Sequence, residues 1–134
     1  IPDILIRTDK ARNILPKLIS REDAVFNASR VGLLVDVFLT EEYELLTVAT
    51  QDKIHQSRRA ELIPGALETL EVAICSGAYG AALSGSGPSL IAFCPKGKEI
   101  NVATNMQRIL SRNNLTSKYL VLDIDPDGAI LTEY

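Results

Sequence analysis

A run rich in glycine and serine between two apolar segments is the feature that most constrains how this chain can fold. The two segments are residues 79–83 and 90–94, and each is a short apolar stretch bounded by turn-forming residues. Such stretches are typical of buried strands, and a run so rich in glycine forms no regular element. The sequence therefore predicts two strands joined by a tight loop. The loop residues are Ser84, Gly85, Ser86, Gly87, Pro88 and Ser89.

The residues of this loop also allow a chemical role. Gly85 and Gly87 permit a positive φ and the close approach of another backbone or a ligand, and the three serines add hydroxyl donors. The loop could line a bound phosphate, or it could simply connect two strands, and the residues alone leave both interpretations open. It is neither a Walker loop, because no Gly-Lys-Ser/Thr ending follows, nor a complete GxGxxG dinucleotide motif.

The clearest helix is predicted near the start of the chain. Ser20 stands three residues before Asp23, which is an N-terminal capping pattern. Apolar residues then follow at spacings of four, three, four and three, as on one face of an amphipathic helix. These residues are Ala24, Ala28, Val31, Val35 and Phe38.

Weaker patterns predict the other elements. A strand at residues 4–6 leads into a brief helix, capped by Thr8, that stops before Pro16. Thr40 begins a further helix whose apolar face includes Leu46 and Ala49. The rest of the prediction is a polar connection at 52–60, a helix from Pro64 to Gly77, a helix at 99–112, and a hairpin of residues 119–124 and 129–132 around the turn Asp125-Pro126-Asp127-Gly128. Helices mixed with antiparallel strands indicate an α+β fold with helices packed on a sheet face.

Composition excludes several classes of protein. The chain has 134 residues, 14 Lys and Arg against 17 Asp and Glu, and a formal charge of −3. One domain is expected at this length, and this charge favours no nucleic-acid partner. No apolar run is long enough for a membrane span and no secretory leader opens the chain, so we expect a soluble, cytoplasmic protein. The chain begins at Ile1 without Met, which fits a fragment, an excised domain or a processed chain.

The two cysteines and the single histidine predict no metal site. Cys75 and Cys94 lie in apolar contexts without a CxxC spacing, so we expect two buried free thiols. One histidine, His55, cannot build a histidine-rich site, and a zinc site from these three residues is weak at their separations.

Two groups of residues could bind an anion. Arg58 and Arg59, with His55 and Gln56, are the densest donor cluster, and a guanidinium binds carboxylate or phosphate with two hydrogen bonds. The alternative is ordinary solvated surface charge. Thr8 and Arg12 are four residues apart, which on a helix puts them on one face. They could hold an amino-acid carboxylate and hydroxyl, or be a cap and a surface arginine.

Several of these segments together resemble the homoserine kinase family within the GHMP (galacto-, homoserine, mevalonate and phosphomevalonate) kinase superfamily. The resemblance runs from Ile1 to the end of the chain. The glycine-rich loop is similar to the third motif of the superfamily, whereas the other segments are typical of homoserine kinases. Those segments are Thr8-Asp-Lys-Ala-Arg12, Asp23-Ala-Val-Phe-Asn27, His55-Gln56 with Arg59, and Leu62-Ile-Pro64-Gly65.

The resemblance implies a two-domain enzyme that uses ATP and Mg²⁺ to phosphorylate the side-chain hydroxyl of L-homoserine, giving O-phospho-L-homoserine for threonine biosynthesis. Residues 1–134 would be its C-terminal domain, with a ferredoxin-like α+β fold. The family's second motif, Pro-x-x-x-Gly-Leu-Gly-Ser-Ser, is absent from these residues. ATP and Mg²⁺ would therefore be bound mainly by an N-terminal domain outside this chain, and the isolated chain would be inactive.

The resemblance also assigns roles to single residues. Thr8 and Arg12 match positions that contact the amino-acid substrate, and Arg59 matches a further arginine, although a one-residue shift would place Arg58 there. No residue is identified as a catalytic base, and no metal ligand is assigned. The residues that would support the phosphate loop are Ser84, Gly85, Ser86, Gly87 and Pro88.

Partners implied by the resemblance are L-homoserine and the N-terminal domain, with a homodimer as a further option. Three alternatives remain. The chain could be a non-catalytic ferredoxin-like regulatory domain that binds an amino acid, part of another GHMP small-molecule kinase, or a dimerisation domain without ligand contacts.

Overall fold

The computed structural model describes residues 1–125, 128, 130 and 131. Helices and one antiparallel sheet make up the described part, which confirms the predicted α+β class. In chain order the elements are α1 (Thr8–Asn13), α2 (Arg21–Thr40), a 3-10 turn (Tyr43–Leu45), α3 (Leu46–Ala49), α4 (Gln56–Ala60), α5 (Ala66–Cys75), β1 (Gly80–Leu83), β2 (Leu90–Phe93) and α6 (Glu99–Arg112).

The sheet is a hairpin around the glycine-rich loop. Strands β1 and β2 are antiparallel, with Gly80 opposite Phe93 and Leu83 opposite Leu90. This confirms the two strands predicted from their apolar composition. Within the described residues the sheet has these two strands, and α5 packs against both of them.

The main core lies between the sheet, α5 and α6. Leu70 and Ala73 of α5 are buried against Ala81 of β1 and Val102 of α6. On the other side of β1, α3 approaches so closely that a Cβ at Gly80 would lie 2.8 Å from the Cβ of Leu46. That distance is well inside ordinary contact, so the close packing of α3 on β1 depends on glycine at this position.

Helix α2 begins as predicted, but the middle of its predicted apolar stripe faces solvent. The Ser20 Oγ accepts a hydrogen bond from the Asp23 amide at 3.0 Å, which confirms the cap. Val31 and Val35 of the stripe are 64% and 56% exposed. The opposite side of the helix is also apolar, and it is that side, around Val37, that packs on α3.

Two predictions near the N-terminus are wrong. Residues 4–6 form no strand. Ile6 instead packs against the apolar cluster between α4 and α5. Thr8 does not cap α1, because Arg7 occupies the N-cap position and makes no side-chain cap. The carboxylate of Asp9 lies at this helix end instead, 3.1 Å from the Arg7 Nε and 2.9 Å from the Lys10 amide.

The region after α2 differs in part from the prediction. Thr40 begins no helix: it is the last residue of α2, and its hydroxyl donates to the Asp36 carbonyl at 2.9 Å. Glu41 then ends the helix in the left-handed conformation. Leu46 and Ala49 are buried, as their apolar character predicts. The polar connection that follows contains a helix, α4.

The helices predicted at 64–77 and 99–112 are confirmed as α5 and α6. Residues 119–124, predicted as the first strand of a hairpin, form no strand. Within the predicted turn and second strand, Pro126, Asp127, Ala129 and Thr132 lie outside the described residues.

Both cysteines are free, as predicted, but Cys75 is exposed rather than buried. It is the last residue of α5 and lies on the side of that helix away from the buried Ala73. Cys94 is half-buried, and its burial, followed by the charge of Glu99, raises the pKa of its thiol. Among the described helices, no apolar stretch reaches the length required to cross a bilayer.

Candidate active site

Arg59 joins three parts of the molecule that the sequence singled out. It belongs to α4, and its Nε donates to the carbonyl of Ala11 in α1 at 3.3 Å. Its Nη1 donates to the carbonyl of Gly85 in the glycine-rich loop at 3.1 Å. The structure therefore places α1, α4 and the loop around one guanidinium.

The neighbouring Arg58 points elsewhere. Its Nη1 lies 3.5 Å from Glu61 Oε1, and both side chains are 57% exposed. An exposed ion pair of this kind contributes little free energy. Of the two arginines that the sequence left interchangeable, Arg59 is the one beside the glycine-rich loop.

A cavity of about 320 Å³ lies next to Arg59, and we call it the site cavity. Polar groups from α4 and the segment before it line one side, and the end of β1 with the loop lines the other. The lining residues are Asp52, His55, Gln56, Arg59, Leu83 and Gly85.

Gln56 fixes α4 to the end of β1. Its side-chain Oε1 accepts a hydrogen bond from the Leu83 amide at 3.0 Å. Leu83 is the last residue of β1, directly before the loop. The first and fourth residues of α4 thus both contact the hairpin, Gln56 at the strand end and Arg59 within the loop.

Asp52 organises the start of α4. Its Oδ1 accepts from the amides of Ile54 at 2.7 Å and His55 at 3.0 Å, and its Oδ2 accepts from the amide of Gln56 at 3.0 Å. The first amides of a helix lack partners within the helix. One carboxylate satisfies three backbone donors here, and its negative charge suits a helix N-terminus.

Asn27 ties this carboxylate to α2. Its Nδ2 donates to Asp52 Oδ1 at 2.7 Å, and its Oδ1 accepts from the Lys53 amide at 3.0 Å. The side-chain amide of Asn27 therefore donates to Asp52 and accepts from Lys53, which are consecutive residues. A side chain from the middle of α2 fixes the chain just before α4.

The hydrogen bonds decide the ionisation of Asp52. Burial alone would raise its pKa, but the hydrogen bonds from Asn27 and from the amides of His55 and Ile54 outweigh burial and hold the pKa below its ordinary value. His55 Nδ1 lies 3.3 Å from Asp52 Oδ2 and adds to this effect when protonated. Asp52 is therefore a carboxylate at neutral pH.

Thr8 and Arg12 lie one turn apart on α1, and both are exposed. Within the described part of the chain, neither side chain is engaged by a hydrogen bond or ion pair. Ala11, the residue before Arg12, is buried and carries the carbonyl that Arg59 contacts. The backbone of α1 is thus fixed at the site while two of its polar side chains remain open to a ligand.

The glycine-rich loop is closed by two hydrogen bonds. The Ser84 amide donates to the Ser89 carbonyl at 2.8 Å, and the Gly87 amide donates to the Ser84 carbonyl at 3.1 Å. Gly85 and Gly87 have positive φ of 58° and 82°, the conformation that glycine permits, and the Gly87–Pro88 peptide bond is cis. A Cβ at Gly85 would meet no atom within 4 Å, so this corner of the loop is open.

The described residues do not form a metal site. They contain no group of three or more His, Cys, Asp or Glu side chains that could hold an ion. A larger groove of about 1000 Å³ lies between β2, α6 and residues 117–124, but its lining is mainly apolar and does not include Arg59. Thr8 and Arg12 line neither this groove nor the site cavity. We place the candidate site at the smaller cavity because the hydrogen-bond donors converge there.

Sequence reasoning did not identify Asp52 and Asn27 as residues of this site. Asp52 begins a polar stretch and stands three residues before His55, the N-cap of α4, so an aspartate preceding a short helix was an available signal. Asn27 is a polar residue within an apolar helix, and such residues often have a specific hydrogen-bond partner. Neither pattern indicates which distant residue that partner is.

Comparison with known proteins places these features in a family. Residues 40–112 match the model described as "GHMP kinases C terminal". The chain is 48% identical over 129 residues to homoserine kinase of Desulfitobacterium hafniense and 40% identical over 131 residues to that of Halothermothrix orenii. These alignments cover 96% and 98% of this chain but 43% and 42% of the relatives.

A solved structure agrees in fold. The crystal structure of homoserine kinase from Cytophaga hutchinsonii matches with a TM-score of 0.80 at 34% identity, covering 85% of this chain and 36% of that one. The chain therefore spans about two fifths of the length of the homoserine kinases that it resembles. The fold, the glycine-rich hairpin and these matches together show that the chain belongs to the GHMP kinase C-terminal family.

Proposed function

We propose that this chain is the C-terminal part of a homoserine kinase, a cytoplasmic enzyme of threonine biosynthesis that transfers the γ-phosphate of ATP to the side-chain hydroxyl of L-homoserine. The observation that carries the proposal is Arg59, which joins α1 to the glycine-rich loop beside the site cavity. The homoserine kinases among the relatives support the choice of substrate.

In this proposal the chain's own residues bind and orient the amino acid. The guanidinium groups of Arg12 and Arg59 hold the homoserine carboxylate, and the hydroxyl of Thr8 contacts its polar groups. Arg59 uses its Nε and one Nη1 proton on carbonyl groups, which leaves the second Nη1 proton and both Nη2 protons for the substrate. Phosphoryl transfer depends mainly on positioning and charge neutralisation, so a carboxylate held at one point directs the hydroxyl toward the phosphate.

The glycine-rich loop supports the phosphate-binding region in this proposal. Its Gly85 corner is open and lies against Arg59, so a phosphate loop from elsewhere in the polypeptide has room to pack there. Magnesium, when bound, neutralises charge on the phosphates of ATP. The described residues contain no cluster of ligands for it, so we assign ATP and Mg²⁺ mainly to the N-terminal region that the longer relatives possess.

The test is ADP release by the longest natural polypeptide that contains this chain, assayed with Mg-ATP in the presence and absence of L-homoserine. We expect turnover only with homoserine, and none from the 134-residue chain alone. Mevalonate or a sugar in place of homoserine tests for another GHMP kinase. Absence of homoserine-dependent turnover, with amino-acid binding retained by the 134-residue chain, would favour the regulatory-domain alternative.

A further inference from the structure

We propose that Asn27 and Asp52 form a latch that positions Arg59 for substrate binding. Among the described residues, no hydrogen bond or ion pair joins either residue to Arg59, so both act through the helix α4 that carries it. The inference rests on the proposed function for its substrate, whereas the latch itself is defined by hydrogen bonds between α2 and the start of α4.

Helix α4 requires stabilising contacts from outside the helix because it is short. It has five residues, and its N-cap residue His55 makes no side-chain cap. Isolated helices of this length are unstable in water, since nucleation costs more free energy than one turn of hydrogen bonds returns. The Asp52 carboxylate supplies a partner for the first amide of the helix, Gln56, and for the amides of the two residues before it, so it fixes the point where the helix begins.

Asn27 fixes Asp52 relative to the rest of the fold. Its 2.7 Å hydrogen bond to Asp52 Oδ1 and its 3.0 Å hydrogen bond from the Lys53 amide start from α2, which packs on α3 through Val37. Asp52 is held from both sides, by Asn27 of α2 and by the amides of residues 54–56 at the start of α4. The latch thus transmits the position of the long helix α2 to the short helix α4.

Helix α4 in turn sets the position of the two side chains that contact the hairpin, those of Gln56 and Arg59. Gln56 accepts from the Leu83 amide, and Arg59 donates to the carbonyls of Ala11 and Gly85. These three hydrogen bonds are 3.0 to 3.3 Å long, so a displacement of α4 by about 1 Å would weaken all of them together. A guanidinium that binds a carboxylate through two hydrogen bonds is equally sensitive to its position.

The latch is tested with three variants and a control in the longest natural polypeptide containing this chain. Asn27→Ala removes the hydrogen bonds from α2 to Asp52 and Lys53, and Asp52→Ala removes the carboxylate. Asp52→Asn is milder, because it keeps the oxygen that accepts from Asn27 and loses the one that accepts from the Gln56 amide. Asp36→Asn is the matched control, since Asp36 is an exposed carboxylate on α2 away from the site cavity.

Two measurements are made on each variant. The first is hydrogen exchange of the Leu83 amide by NMR, which reports whether α4 is docked because that amide donates to Gln56. The Tyr79 amide, which donates to the Phe93 carbonyl of β2, is the internal reference for the hairpin. The second is steady-state kinetics with homoserine and with ATP, which separates substrate positioning from a general loss of fold.

We expect Leu83 exchange to accelerate about tenfold or more in Asn27→Ala and Asp52→Ala while Tyr79 exchange is unchanged. The KM for homoserine should rise about tenfold, with the KM for ATP within about twofold. Asp52→Asn should show a smaller rise. The double variant Asn27→Ala/Asp52→Ala should be no worse than Asp52→Ala, because the two residues act as one unit.

Unchanged Leu83 exchange in both alanine variants would overturn the latch. Faster exchange with an unaltered homoserine KM, in an enzyme whose wild type phosphorylates homoserine, would overturn its role in substrate binding. If both alanine variants fail to fold, Asp52→Asn alone decides by the same two criteria. If the wild type shows no homoserine turnover, the proposed function fails, and the Leu83 measurement then decides whether the latch stands as a structural device.

Discussion

The segment from Asp52 to Arg59 is polar but has specific partners inside the protein, whereas the outer face of α2, which carries Val31 and Val35, is apolar but exposed to solvent. The segment is polar, yet its carboxylate, amide and guanidinium groups are bound to named partners in α1, α2 and the hairpin. The outer face of α2 is apolar, yet Val31 and Val35 are more than half exposed. The polar segment is the one fixed by specific contacts within this chain.

The difference shows that an apolar pattern and a fixed position are separate properties. Apolar spacing indicates that a helix forms and which residues share a face, but it does not indicate which of two apolar faces is buried. Hydrogen bonds with defined partners fix orientation more narrowly, because each donor and acceptor restricts distance and angle. Substitutions in the two regions should therefore have different kinds of effect.

The largest effect is expected at the end of the polar segment. Arg59→Ala should raise the KM for homoserine about 100-fold, because it removes a charge-assisted contact to the carboxylate and frees the loop from α1. Arg58→Ala is the matched control and should change this KM by less than about twofold. Steady-state kinetics of the longest natural polypeptide provide the test. Equal rises in the homoserine KM of the two variants would contradict the assignment of substrate binding to Arg59 and not to Arg58.

The start of the segment should contribute stability that depends on pH. The folded pKa of Asp52 is below its ordinary value of 3.8, so its contribution is complete above that value and is lost as the pH falls through the folded pKa. Asp52→Asn should therefore lower the free energy of unfolding by about 2 kcal/mol near pH 7 and by progressively less below pH ~4. Denaturant titrations at several pH values measure this. A constant difference from pH 7 to 3 would contradict the assigned cause.

The buried side of α2 should show an ordinary packing effect. Val37 has no exposed surface and contacts Leu46 and Ala49. Val37→Ala should lower the free energy of unfolding by about 2 kcal/mol, because two buried methyl groups are lost and a cavity remains. Urea titration of the 134-residue chain tests this value. A loss below about 0.5 kcal/mol would mean that α2 is not anchored through this residue.

The smallest effect is expected on the exposed side of the same helix. Val35→Ala removes the same atoms as Val37→Ala but from a side chain that is 56% exposed. The free energy of unfolding of the 134-residue chain should change by less than about 0.5 kcal/mol. If the two valine substitutions were equally destabilising in that chain, its α2 would be buried on both sides.

The sequence predicted most of the regular elements near the hairpin. The apolar segments at 79–83 and 90–94, the loop between them, and helices α5 and α6 have local signals that agree with their tertiary packing. The strand at residues 4–6 and the cap by Thr8 were wrong, because the chain there packs through Ile6 and uses Asp9 at the helix end. Local propensity could not indicate these tertiary partners.

The candidate site was predictable only in part. Arg59 and the glycine-rich loop were recognisable as residue types suited to anions, and the structure brings them into contact through the Gly85 carbonyl. The pairing of Asn27 with Asp52 was not predictable, because it joins positions separated by 25 residues through a single amide group. Roles for Thr8 and Arg12 rest on resemblance, and they stay predictions.

The contacts of Arg59 have a consequence for how freely the surrounding sequence can vary. Both of its partners are main-chain carbonyls, of Ala11 and of Gly85, and every amino acid possesses such a group. The side chains that occupy α1 and the loop can therefore change in chemical character without removing an acceptor, provided that the path of the backbone is kept. Tolerance at these two positions is set by shape and torsion angle, whereas at Arg59 it is set by chemistry.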